Sequence, residues 1–179
     1  MMDKVIMAGF GGQGVMFLGK VLAYAGMNSD LDLCWIPSYG PEMRGGTANC
    51  SVILADGEIY SHVIDQADAA IVLNKPAYDK FSTRIKPGGV LIVNASLANI
   101  ESPREDITIV KIPATEIANE MGNPAIANMV CLGALLPSMK LVDFSTIEKA
   151  MDKLTSKRPQ LLESNLAAIK KGMDFVSAN

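Results

Sequence analysis

The chain has 179 residues, 16 Lys or Arg against 19 Asp or Glu for a formal net charge of −3, and 49% hydrophobic against 20% charged residues. That balance predicts one globular domain over residues 1–179 with a substantial core, and it excludes a disordered tail. No dense basic block offsets the acidic balance, so no nucleic acid is expected as a partner.

No apolar run nears the roughly 18 residues that span a bilayer. The start, Met1-Met2-Asp3-Lys4, runs into a short apolar stretch without a long leader. A cytoplasmic protein with no membrane association is expected. Cys34, Cys50 and Cys131 are widely spaced and His62 is the sole histidine. Clusters and structural zinc need several closely spaced ligands, so reduced, buried thiols are expected and no metal on this chain alone.

Residues 4–8 (KVIMA) read as a buried strand that ends at glycine. After the glycine-rich turn 9–14, Val15, Leu18, Val21, Leu22 and Ala25 recur at helical spacing. Residues 31–36 form a second strand, closed by Pro37, and 38–46 a loop. Residues 47–55 are rich in strand formers; Asp56-Gly57 then turns the chain, and 58–61 are expected to return as the second arm of a hairpin.

Residues 69–73 (AAIVL) are an apolar strand, followed by a helix to about residue 84. Pro87-Gly88-Gly89 is a turn before the strand 90–93. A strand at 107–112 opens onto Pro113 and a short helix to Glu120. Gly122-Asn123-Pro124 breaks that helix, and 125–136 form a helix apolar all round. Two amphipathic helices, 145–154 and 160–176, flank Lys157-Arg158-Pro159. Strands alternating with helices predict an α/β, Rossmann-like fold: a mostly parallel sheet flanked by helices, with a local β-hairpin and a helical C-terminal third.

Gly9-Phe10-Gly11-Gly12-Gln13-Gly14 fits G-x-G-x-x-G between a strand and a helix. Glycines permit close backbone approach, and the helix N-terminus presents free N–H groups to an anion. An anion-binding role for Gly9, Gly11, Gly12, Gln13 and Gly14 and a purely packing role both remain open. NAD or FAD is disfavoured, because such a site places an acid at the end of the second strand. Here that strand ends Trp35-Ile36-Pro37-Ser38, with Asp30 and Asp32 at its beginning.

The loop 38–46 should leave the same sheet edge as the glycine loop. It gathers Ser38, Tyr39, Glu42, Met43 and Arg44 between glycines. Arg44 is suited to a carboxylate or phosphate, oriented by Glu42; the alternative is a surface ion pair of little worth. Trp35 and Tyr39 are expected to pack in the core or an interface, and His62 at a hairpin edge. Asn128 opens the apolar helix, where its amide bonds a loop backbone or caps the helix. Met16, Met43 and Met129 are candidates for a subunit surface.

The glycine loop together with Ser38-Tyr39-Gly40-Pro41-Glu42-Met43-Arg44-Gly45-Gly46-Thr47-Ala48-Asn49-Cys50 resembles the gamma subunit of 2-oxoacid:ferredoxin oxidoreductases. The likeness continues through 68–81, 86–93 and 128–135 and covers roughly residues 3–175. It implies a role in converting a 2-oxoacid, coenzyme A and oxidised ferredoxin to acyl-CoA, carbon dioxide and reduced ferredoxin. It also implies alpha, beta and, where present, delta subunits as partners. Thiamine diphosphate and iron–sulfur clusters sit in those partners, with no cofactor on this chain alone, and CoA is a co-substrate. The SYGPEMRGG form is more similar to 2-oxoglutarate and branched-chain members than to pyruvate members. The glycine loop then becomes a CoA or anion loop, and Ser38, Tyr39, Glu42, Met43, Arg44 and Asn128 become partner- or CoA-facing. A regulatory ligand-binding module and a stand-alone nucleotide-dependent oxidoreductase are the competing readings.

Overall fold

The computed structural model describes residues 1–40, 46–101 and 104–178. Six strands, β1 (Met2–Phe10), β2 (Asp32–Tyr39), β3 (Thr47–Ala55), β4 (Ala67–Val72), β5 (Ile85–Asn94) and β6 (Thr108–Ile112), form one sheet in the order β2-β3-β1-β4-β5-β6. The β1-β4-β5-β6 ladder is parallel, whereas β3 runs against both β1 and β2. The helices are α1 (Val15–Met27), α2 (Lys75–Phe81), α3 (Ala114–Glu120), α4 (Ala127–Leu135), α5 (Phe144–Leu154) and α6 (Gln160–Ala178). None is long and apolar enough to cross a membrane.

The continuous apolar run in β1 follows from burial on both faces. Val5 and Met7 point into a core shared with α1, α4, α5 and α6, while Ile6 and Ala8 point into a second core with α2. Every residue of α4 from Asn128 to Leu135 is buried. Burial of side chains such as Met129, Leu132 and Leu135 is worth about 1.5–3 kcal/mol each relative to exposure.

The antiparallel element differs from the expected hairpin. Residues 58–61 form no strand; β3 instead pairs with β2 on one side and β1 on the other. A mostly apolar β3 is thereby covered on both edges, which pairing with the polar segment Glu58–Ser61 would not achieve. His62 accordingly lies exposed in a segment without regular secondary structure and not at a hairpin edge.

Pro37 does not end β2. The strand lies at the sheet edge, so a missing N–H is tolerated and pairing runs to Tyr39 opposite Ala48. Pro87-Gly88-Gly89 lies inside β5, where the β4–β5 register shifts between Ala67 and Ala69. Met129 is fully buried in the core, not at a surface; Met16 is partly buried against it.

Candidate functional site at the glycine loop

α1 follows β1 onto one face of the sheet and α2 follows β4 onto the other. The carboxyl edge between β1 and β4 is therefore the topological switch point, where the crossovers diverge and leave a crevice. The glycine loop opens into it. Phe10 N–H donates to Gln13 Oε1 at 2.7 Å, and Asn74 Nδ2 donates to the same oxygen at 2.9 Å. Asn74 Oδ1 in turn accepts from Ala77 N–H at 2.9 Å, capping α2. Gln13 thus ties the loop to both sides of the crevice.

The glycines serve different needs. A Cβ on Gly9 would meet Gln13 Oε1 at 2.6 Å, and one on Gly14 would meet Asn128 Nδ2 at 2.3 Å, so packing accounts for both. At Gly12 a Cβ would meet nothing within 4 Å, and φ is +95°. Its neighbourhood is open space, so packing gives no reason for glycine there; the left-handed backbone does. No side chain caps α1, and its first turn holds no acid. Among the described residues its N-terminal N–H groups therefore have no capping side chain.

Gly46, just before β3, meets the glycine loop, and Gly40, just after β2, lies beside the start of β3. Gly11 N–H donates to Gly46 O at 2.9 Å, and Gly40 N–H donates to Thr47 O at 2.7 Å. Ser38 and Tyr39 are exposed at the end of β2, Tyr39 at 69%. Glu42, Met43 and Arg44 lie outside the described residues.

Asn128 is buried beside α1. Its Nδ2 donates to Gly14 O at 3.3 Å and its Oδ1 accepts from Met129 N–H at 2.9 Å, so it holds the loop backbone. The N-cap of α4 is Ile126.

Two hollows flank the 125–128 turn. One, of about 170 Å³, is lined by Gly12, Gln13, Leu73, Asn94, Thr115 and Asn128 among others. Asn94 Nδ2 donates to Thr115 Oγ1 at 3.0 Å, while its buried Oδ1 has no partner among the described residues. The other, of about 470 Å³, lies between Gly14, the 123–128 turn and the α5–α6 junction. Asn74, Asn94 and Thr115 escaped the sequence reading. The signal was a polar residue placed directly after each apolar strand run, at Leu73-Asn74 and Val93-Asn94.

Burial raises all three thiols, Cys50 to about 11 and Cys131 to about 12. Cys34 is half-buried and only raised. Among the described residues no three His, Cys, Asp or Glu side chains converge on a common point.

Residues 4–175 match the family model described as pyruvate ferredoxin/flavodoxin oxidoreductase. The chain is 32% identical over 177 residues to the ketoisovalerate oxidoreductase subunit VorA of Methanothermobacter marburgensis, covering 98% of this chain but 37% of that protein. It superposes on the keto/oxoacid ferredoxin oxidoreductase gamma subunit of Geobacter sulfurreducens with a TM-score of 0.83 and 30% identity, covering 99% of both chains. It also superposes on the 2-oxoglutarate:ferredoxin oxidoreductase of Magnetococcus marinus, solved with 2-oxoglutarate, coenzyme A and succinyl-CoA bound, with a TM-score of 0.89 and 26% identity. That match covers 99% of this chain and 31% of the other. The chain therefore spans about a third of the length of some relatives and the whole of others, and it belongs to the pyruvate ferredoxin/flavodoxin oxidoreductase family.

Proposed function

We propose that this chain is the gamma subunit of a 2-oxoacid:ferredoxin oxidoreductase and that its glycine loop receives the phosphates of coenzyme A. The observation that carries the loop assignment is Gly12, a left-handed glycine with open space around it at the switch-point crevice. Family membership and the Magnetococcus marinus relative solved with CoA support the ligand. Relatives that act on ketoisovalerate and 2-oxoglutarate support a branched-chain 2-oxoacid or 2-oxoglutarate as the substrate of the assembly.

The residues divide the work. Gly12 and the uncapped first turn of α1 offer backbone N–H groups to a phosphate. Gln13, held by Phe10 and Asn74, fixes the loop in that shape. Ser38 and Tyr39 present an exposed surface beside the loop, where a partner subunit docks. Arg44, two positions after Glu42 in the sequence, serves that docking or the wall of a CoA channel. Thiamine diphosphate and iron–sulfur clusters on alpha, beta and delta partners would supply the decarboxylation and electron-transfer chemistry, with ferredoxin as acceptor.

The test is Gly12→Val in the reconstituted complex. A side chain there has room but blocks backbone approach and opposes the positive φ, so the KM for CoA should rise about tenfold or more while assembly survives. An unchanged KM in an intact complex would leave the loop without a ligand role.

A further inference from the structure

The chain passes from β3 to β4 at the amino edge of the sheet. Ala55, the last residue of β3, pairs with Met2 at the start of β1, and β4 lies on the other side of β1. Two strand spacings, about 10 Å, separate the ends to be joined, a span that about three extended residues cover. The chain uses residues 56–66 instead. The extra length is not folded into the core: apart from Ile59 and Ile64, residues 56–66 are exposed.

This loop is anchored although it has no regular secondary structure. Ile64 is 3% exposed in the core shared with α2, and Ile59 packs against the same core. The Arg84 guanidinium donates to Ile64 O, and Asp56 N–H donates to Met1 O at 3.2 Å. Between Ile59 and Ile64, Tyr60 and Val63 stand out at 89% and 66% exposure. Single exposed apolar side chains are ordinary. Here two share one anchored loop, and Tyr60 is the most exposed large apolar side chain among the described residues.

The charge of the loop is one-sided. Residues 56–66 carry Asp56, Glu58 and Asp65 and no Lys or Arg. Asp56 pairs with the terminal amine, whereas Glu58 and Asp65 are exposed and in no ion pair among the described residues. An apolar centre flanked by acids is complementary to an apolar pocket edged by Lys or Arg. A second copy of this chain, itself at a net charge of −3, is the poorer occupant. The fold also occurs as 31% or 37% of a longer chain, so further protein adjoins it in those relatives. Resting on the subunit reading above, we infer that residues 58–65 form a second docking surface and that its occupant is another subunit of the oxidoreductase. That subunit receives Tyr60 and Val63 in an apolar pocket, with Lys or Arg at the pocket edge facing Glu58 and Asp65. Tyr39 and the glycine loop lie at the other end of β1, since Tyr39 pairs with Ala48 and Ala48 with Gly9. At about 3.3 Å per residue the two ends are roughly 23 Å apart, so docking here leaves the switch-point crevice open.

The experiment measures Kd by calorimetry between the purified chain and its purified partner subunits, recombined in solution. Tyr60→Ala/Val63→Ala should weaken association about tenfold or more, as truncation of an aromatic anchor does, with the thermal midpoint of the chain unchanged. At saturating partner subunits the same variant should recover the turnover and the KM for CoA of the unaltered complex. Glu58→Lys/Asp65→Lys should weaken association most at low salt, where screening is least. Met27→Ala, an exposed side chain at the end of α1, should change nothing. If the Tyr60/Val63 variant binds the partners as the unaltered chain does, the docking surface falls while the subunit reading stands. If the chain instead forms a dimer in sedimentation that this variant abolishes, the assigned occupant is wrong. If the unaltered chain binds no thiamine diphosphate-bearing partner, the subunit reading falls and this inference with it.

Discussion

The Asn128 amide donates to the Gly14 carbonyl at 3.3 Å, and a Cβ on Gly14 would sit 2.3 Å from that same nitrogen. The start of α1 and the start of α4 are therefore fitted to each other through one glycine. Gly14→Ala should cost about 1–2 kcal/mol from its left-handed backbone, at φ +76°, with a further cost for displacing the amide. Asn128→Ala should cost about 1 kcal/mol through lost hydrogen bonds. Because the first variant already displaces Asn128, the double variant should be less destabilised than the sum of the two. Urea denaturation of the three variants measures this; strict additivity would deny the contact.

α4 and α6 cross closely enough for their glycines to matter. A Cβ on Gly133 would come within 1.9 Å of Ile169 O, and one on Gly172 within 2.0 Å of Val130 O. Backbone cannot step aside as a side-chain tip can. Alanine has the better helix propensity, but Gly133→Ala or Gly172→Ala should still cost about 3 kcal/mol or more. Gly57→Ala, where a Cβ meets nothing within 4 Å, is the matched control and should be near neutral. Equal thermal midpoints for Gly133→Ala and Gly57→Ala would contradict the crossing.

The thiols predict a pH response. Burial raises Cys50 to about 11 and Cys131 to about 12, above the ordinary 9.0. The unfolded chain loses those protons first as pH rises, so the stability that the protonated, buried thiols contribute is complete below pH 9.0. It drains away between there and their folded values. At pH 8 iodoacetamide should modify half-buried Cys34 first and reach the other two only on unfolding. Equal native labelling of all three, read by mass spectrometry, would count against the buried placement.

Much of the fold was legible because its signals are local. The run 4–8 ending at Gly9 marked β1, and the all-apolar stretch around Asn128–Leu135 marked α4. The pairing of β3 was not legible. A strand former after a loop and before Asp56-Gly57 fits a local hairpin, and only the completed sheet shows that β3 is inserted between β1 and β2. Pro37 misled for a related reason, since edge position decides whether proline ends a strand, and position in the sheet is not written in the strand itself. At the site, the glycine motif located the loop but could not divide the glycines by task. Gly9 and Gly14 pack and Gly12 does not, a distinction carried by Gln13 and Asn128, the latter more than a hundred residues away in sequence. The larger hollow was illegible because α1, α5 and α6 meet there from distant parts of the chain.

On the proposed function, the chain works as one subunit of a CoA-dependent 2-oxoacid oxidoreductase. The most direct measurement is viologen reduction with 2-oxoglutarate or 2-oxoisovalerate and CoA, made on two samples. One is the purified chain; the other is the assembly captured from its native cell through a tag on this chain. The chain alone should be inert, and the captured assembly should turn over and contain thiamine diphosphate and iron–sulfur clusters in its other subunits. Turnover by the chain alone, or a captured assembly without thiamine diphosphate and without activity on either 2-oxoacid, would contradict the account.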